Sequence, residues 1–371
     1  MRSVRLAIIL FAFAAIPLFA QPVVGPEVTS APMDGVGQFA LAPQRDGFVI
    51  AWEQNGRIHM GRLDSALQLE GDAIQLPIGE AGRNAGSPSV ATDGTTALIT
   101  WHEYVFGQAD INVVATVLLD PLTLLQGPTK LDVEPNSPIA AWDGAEYVVN
   151  SGGYQYRLTN ALDASFGGWF GGMSVAFSKD GRVAGISEEP YWGSELPCIH
   201  WSFHSSSGDC TYNISYTLRV QSGDIHTSRR ATVKDGTIVP LFPAIAGANG
   251  ASFAGLFRMP SHTDLLLFDD AVRTSTTLPV TILTDSALAG NGGDVLIVWT
   301  GQKQLTGMFV HADRSVSDPF AVSDGPVDEP HVIAAGSSTF VVFYRINLGP
   351  NEWRLAGRTI RLKPTKQRSV R

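Results

Sequence analysis

Residues 87–118, SPSVATDGTTALITWHEYVFGQADINVVATVL, set a pattern that most of the chain repeats. They read as a short strand of small residues, a tight turn, an aliphatic strand ending in Trp101, a loop and a third strand. Degenerate copies align on two landmarks. One is a turn glycine after a small-residue strand, and the other is a run of β-branched and apolar residues closed by an aromatic. First strands fall at 39–42, 89–92, 139–142, 174–177, 244–247, 287–290 and 331–334. Asp-Gly or Asn-Gly precedes the second strand at 46–47, 93–94, 143–144, 180–181 and 249–250, a pairing that suits a tight hairpin turn. Second strands include FVIAW (48–52), ALITW (97–101), VLIVW (295–299) and FVVFY (340–344).

Seven copies, spaced a little under fifty residues apart, predict an all-β chain: a seven-bladed β-propeller with four antiparallel strands per blade. One such sheet cannot bury both of its faces, so neighbouring sheets must pack face to face. Ala40, Ala91, Ala140, Ala176, Ala246 and Ala289 suit the crowded positions near a central axis. Second-strand aromatics suit the wider gaps between sheets. Fourth strands read at 72–78, 129–133, 237–241, 278–283 and 319–323. After the third strand of the last copy only KPTKQRSVR (363–371) remains, so VVGPEVTSAP (23–32) is expected to supply the missing strand and close the ring.

The expected organisation is a signal peptide at 1–20, one propeller domain at 21–362 and a basic disordered tail at 363–371. Arg2 and Arg5 precede the apolar run LAIILFAFAAI (6–16), Pro17 ends it, and Ala20 offers a cleavage point. Export then places the mature chain outside the cell, in the periplasm or in the cell envelope. No other stretch is long and apolar enough to span a bilayer. The signal and tail hold six of the 26 basic residues and no acid, which leaves 20 bases against 35 acids and a net charge of −15 in the body. Such a surface repels phosphate backbones and argues against nucleic acid as a partner.

The strand–turn–aliphatic strand–aromatic repeat resembles that of secreted bacterial β-propellers, over roughly residues 23–362. The resemblance implies a fold and stops there. SKDGR (178–182) lacks the Thr-Trp that would complete an Asp-box, AWDG (141–144) puts Trp142 in a first strand, and no calcium loop of alternating Asp and Asn occurs.

Function is expected where loops depart from the regular scaffold. The connection between second and third strands is short in the first copy, EQNGR (53–57), and longer in the second, HEYVFGQAD (102–110), and the seventh, RINLGPNEW (345–353). In the fourth it becomes EEPYWGSELPCIHWSFHSSSGDCTY (188–212). Cys198 and Cys210, the only cysteines, are expected to pair in an exported chain. His200 and His204 lie between them, but C-x-H-x₃-H-x₅-C fits no trusted zinc spacing, so neither a metal nor another cofactor is expected. Glu103, Tyr104, Glu188, Tyr191, Trp192, His200 and Trp201 are the candidate ligand contacts, with Trp353 a further loop aromatic. The reading is a monomeric, non-catalytic binding module for a glycan or protein. The alternative is a glycan-directed hydrolase or lyase drawing on Glu103, Asp110, Glu188 and Glu189, which needs two carboxylates about 5–10 Å apart. A sialidase-type site also needs an arginine cluster, and only Arg258 and Arg345 occupy matching positions.

Overall fold

The structure is a computed structural model that describes residues 22–34, 38–107, 111–119, 123–152, 154–159, 162–169, 174–177, 183–191, 210–220, 223–233, 245–248, 252–258, 262–268, 272–282, 284–291, 293–350 and 352–362. The predicted signal peptide, the basic tail, Asp110, Trp192, Cys198, His200, Trp201 and His204 lie outside them.

The described residues form an all-β, propeller-like fold of antiparallel sheets with no helix. In six sheets the four strands follow one another in chain order. The first sheet, for example, holds Phe39–Gln44, Gly47–Gln54, Arg57–Asp64 and Ile74–Gln75. The second holds Asn84–Thr92, Thr96–Tyr104, Ile111–Leu119 and Thr123–Lys130. The last sheet differs. Its own strands are Asp328–Gly336, Thr339–Gly349 and Glu352–Leu362, and the outer edge of the third is taken by Pro22–Val24, Val28–Thr29 and Met33–Asp34. Val23 pairs with Arg361, Val28 with Gly357 and Met33 with Trp353.

The hairpin turns follow the sequence. Gly94 and Gly144 take φ of +91° and +99°, a conformation open to glycine and costly for other residues. Asp93 Oδ1 accepts the N–H groups of Thr95 and Thr96 and so holds the turn shut.

The second strands Gly47–Gln54 and Thr96–Tyr104 are largely apolar through their middle because both faces are buried there. Phe48, Ile50 and Trp52 pack against Val341, Phe343 and Trp353 of the last sheet. The alternate residues Val49 and Ala51 turn the other way, to Ala97, Ile99 and Trp101 of the second sheet. Leu98, on the opposite face from Trp101, joins Val149 and Leu158 of the third. The core is therefore a series of layers between sheets, each about 10 Å thick. The first strands are neighbours in chain order, and Asp328–Gly336 lies beside Phe39–Gln44.

The outermost strands depart from expectation. The fourth and fifth sheets end in Gly223–Val233 and Val272–Thr277, where the sequence suggests 237–241 and 278–283. Leu278 and Ile282 instead fill the core between the fifth and sixth sheets as part of the connection.

Candidate functional site

First strands begin, and second strands finish, at the same end of the sheets: Asn84 pairs with Tyr104, Gly86 with His102, and Asp328 with Arg345. This end carries the polar residues that the aliphatic strands exclude elsewhere. The strand Thr96–Tyr104 runs further than the sequence suggests, so His102, Glu103 and Tyr104 are strand residues and not loop residues. Period-two alternation then separates them, with His102 and Tyr104 on one face and Glu103 on the other.

Glu103 is fully buried. Its Oε1 accepts the Gly79 N–H at 2.7 Å and the Trp101 indole N–H at 3.1 Å. That fastens the connection between the first two sheets onto the second strand. It is a scaffold role, set back from solvent.

Tyr104 belongs to a different constellation. A Cβ at Gly86 would lie 3.2 Å from His102 Nε2, 3.3 Å from Glu53 Oε2 and 3.6 Å from a Tyr104 ring carbon. Three half-buried groups from two sheets therefore close over Gly86, which forms the floor of this cradle and has no side chain to hold them apart. The His102 and Tyr104 rings are 5.2 Å apart in an edge arrangement. No hydrogen bond or ion pair with another described residue engages the Glu53 carboxylate, the His102 ring nitrogens or the Tyr104 hydroxyl. Burial raises the Glu53 carboxyl and lowers the His102 imidazolium, which keeps that ring neutral near pH 7. Burial, and then the Glu53 charge, raises the Tyr104 phenol.

Beside the cradle, Ser87 donates to Gln38 Oε1 at 2.8 Å, and Ser137, just before the third sheet, lies 3.4 Å from the Ser87 hydroxyl. Ser87 has φ of +48° and precedes Pro88. The last sheet repeats the device, with Glu329 at +52° before Pro330. In both places the first strand holds one extra residue against its partner, between Gly86 and Ser89 and between Asp328 and His331. Such bulges re-aim side chains, and their strain persists only where surrounding contacts impose it.

Glu329 Oε1 accepts the Phe39 N–H at 3.1 Å, and Arg345 lies 3.3 Å from Oε2. Burial pushes this carboxyl up to about 7, opposed by those two donors and assisted by Asp285 and Asp328. His331 lies 4.6 Å from the Phe39 ring, and burial lowers its pKa to about 4.

The other sequence candidates spread out. Trp353 is buried against Phe39, with ring centroids 6.0 Å apart, and so is a core residue. Glu188 and Tyr191 lie on the strand Val183–Tyr191, opposite Tyr216 and Asn213. Cys210 begins the strand Cys210–Val220. Among the described residues, no group of three or more His, Cys, Asp or Glu is placed to hold a metal ion, and no helix is long and apolar enough to cross a membrane. Sequence reasoning missed Glu53, Gly86, Ser87 and His102. The available signal was the abrupt change to polar residues just after Trp52 and Trp101.

No protein-family model matches the chain, and no curated protein sequence matches it. Solved structures are similar at low identity. A protein of unknown function from Dyadobacter fermentans is 11% identical with a TM-score of 0.45, the match covering 76% of this chain and 96% of that one. An acylaminoacyl peptidase from Pyrococcus horikoshii is 10% identical with a TM-score of 0.44, covering 70% of this chain and 43% of that one. The hemagglutinin-neuraminidase of parainfluenza virus 5 is 10% identical with a TM-score of 0.42, covering 92% and 95% respectively. Likenesses at this level assign no activity to this chain.

Proposed function

We propose that the chain is an exported, monomeric, seven-bladed β-propeller, closed by its N-terminal strand, that binds a glycan or protein at the end of the sheets bearing Glu53, His102 and Tyr104. It binds without catalysis. The ring is supported by the adjacency of the first strands, the apolar layer shared by the last and first sheets, and the N-terminal pairing with Glu352–Leu362. Export rests on residues 1–20, and the acidic body argues against nucleic acid.

One observation carries the binding reading: three polar side chains from two sheets converge over Gly86 and are satisfied by no described residue. Convergent polar groups on a rigid scaffold are what a ligand site requires. The strand Val183–Tyr191 finishes, and Cys210–Val220 begins, at this same end, and Trp192, His200 and Trp201, which fall between them in the sequence, are proposed as further contacts. Glycan and protein arrays probed with wild type, Tyr104→Ala and Trp192→Ala test the reading. The expected result is binding by wild type and its loss in Tyr104→Ala with an unchanged melting temperature. Equal binding by wild type and Tyr104→Ala removes the site.

A hydrolase is the second reading, favoured by one observation: Glu329 has a carboxyl raised to about 7 beside Asp285 and Asp328, as a general acid needs. It ranks below binding because both Glu329 oxygens already have partners.

A further inference from the structure

We infer that the outer edge of Glu352–Leu362 is a sequence-selective binding site for an extended peptide, occupied in cis by the strap Pro22–Asp34 and able to take the same segment in trans. It is a second site, and it does not depend on what binds over Gly86.

In six sheets the outermost strand follows the third in chain order, whereas the strap reaches the last sheet from the far end of the chain. Its pairing is also broken. Contact with Glu352–Leu362 runs over only 3, 2 and 2 residues, at Pro22–Val24, Val28–Thr29 and Met33–Asp34. Pro26 and Pro32 fall in the two gaps, where a residue without an N–H cannot extend a ladder. A strap held by short separate ladders opens at lower cost than an unbroken strand.

Side chains then do what the ladders do not. Tyr344 donates its hydroxyl to Glu27 Oε2 at 2.5 Å, and Arg358 lies 3.5 Å from the same oxygen. Arg358 also pairs with Asp324, from the link between the sixth and last sheets. Tyr344 is fully buried and the Arg358 side chain is 12% exposed, so the Glu27 carboxylate is met largely out of water, where charge-assisted hydrogen bonds are strong. Ser30 engages Leu355 twice: its N–H donates to the Leu355 carbonyl at 2.9 Å, and its hydroxyl accepts the Leu355 N–H at 3.2 Å. Val28 and Met33 pack against the core layer of Phe39, Trp353 and Leu355. Gly25 donates to the Thr359 carbonyl at 2.7 Å, and a Cβ there would meet that oxygen at 3.1 Å.

The edge therefore reads a carboxylate and, three residues on, a hydroxyl, with apolar side chains at Val28 and Met33 and a small residue at Gly25. Backbone pairing supplies affinity and these side chains supply selectivity, as in other cases of strand addition. In the intact chain the link through residues 35–37 keeps the strap at a high effective concentration beside its edge, so the chain's own strap wins and the molecule stays monomeric.

The full mature chain, with a protease recognition sequence in place of residues 35–37, tests the inference. It is folded and then cleaved, which leaves strap and sheets together without a covalent link. Labelled peptides of residues 21–34 are added, uptake is followed by fluorescence polarisation, and thermal melts before and after cleavage check folding. The expected result is that the cleaved strap stays with the sheets through gel filtration and that the wild-type peptide replaces it. Peptides carrying Glu27→Ala or Gly25→Val, or the same residues in scrambled order, should compete at least tenfold more weakly. The uncleaved chain should take up at least tenfold less peptide. A Glu27→Ala or scrambled peptide that exchanges as well as wild type overturns the selectivity and with it the site. Equal uptake by cleaved and uncleaved chains places the peptide elsewhere and overturns it too. Should cleavage unfold the chain, refolding on addition of the wild-type peptide supports the site, and failure to refold overturns it.

Discussion

The backbone N–H of Phe39 donates to the Glu329 carboxylate at 3.1 Å, joining residues 290 positions apart. This bond ties the start of the first sheet to the start of the last. It does so through a carboxyl whose burial favours the protonated form.

That preference gives stability a definite pH dependence. The Glu329 carboxyl is raised from 4.5 to about 7, so its contribution is full below pH 4.5 and fades as pH rises through 7. Glu329→Gln keeps a neutral acceptor for Phe39 and removes the titration. The variant should match wild type near pH 4.5 and exceed it at pH 8 by on the order of 1–3 kcal/mol. Urea unfolding across that range measures the gap, and a gap independent of pH would contradict the assignment.

His331, packed against the Phe39 ring, works in the opposite direction. Its pKa falls from 6.5 to about 4, so the neutral ring stabilises above pH 6.5 and that stability is lost as pH drops toward 4. His331→Phe should remove this acid-side loss while keeping a ring against Phe39. Melting temperatures at pH 7 and pH 4.5 should differ less in the variant than in wild type.

Glu103→Ala should destabilise the protein by about 2–4 kcal/mol, because it strands two buried donors, the Gly79 N–H and the Trp101 indole N–H. Glu103→Gln, which keeps an acceptor, should cost less. Ligand binding by Glu103→Gln should be unchanged, since Glu103 faces away from the cradle. Denaturation midpoints and array binding together check this.

Removing residues 22–34 should lower the melting temperature cooperatively and expose the edge of Glu352–Leu362. The same change strips Tyr344 of the Glu27 carboxylate that accepts its hydroxyl at 2.5 Å. Bare edges pair with one another, so the truncated protein should also self-associate, which light scattering would register. Deleting residues 363–371 should leave both measurements unchanged.

Cys198 and Cys210 should form a bridge when the chain matures in an oxidising compartment. Intact mass spectrometry with alkylation should find no free thiol, and reduction should leave the sheets folded.

The sheets were legible where both local and global forces agree. Asp93-Gly94 marks a hairpin by its turn chemistry, and ALITW marks a strand buried on both faces. The outermost strands were not. GDIHTSRRATV at Gly223–Val233 is an outermost strand with few apolar residues, while the apolar Leu278 and Ile282 sit in a connection pressed between two sheets. Apolar content reports burial, and burial is not confined to strands. At the site, Tyr104 was readable as an aromatic in the connection after a second strand, but Glu53 and His102 were not. Their meeting depends on the pairing of Gly86 with His102 and on the packing of one sheet against the next, neither of which a linear pattern contains.

The N-terminal pairing also sets a timetable. Pro22–Val24 is synthesised long before its partner Ile360–Leu362. Sheets two to six can assemble from neighbouring residues as the chain lengthens, but the last sheet has to wait until residue 362 has been made. Its N-terminal pairings join residues very far apart in sequence, so its assembly should be the slow step. A chain halted short of residue 352 holds an N-terminal segment with nowhere to dock, and is a natural substrate for chaperones and proteases.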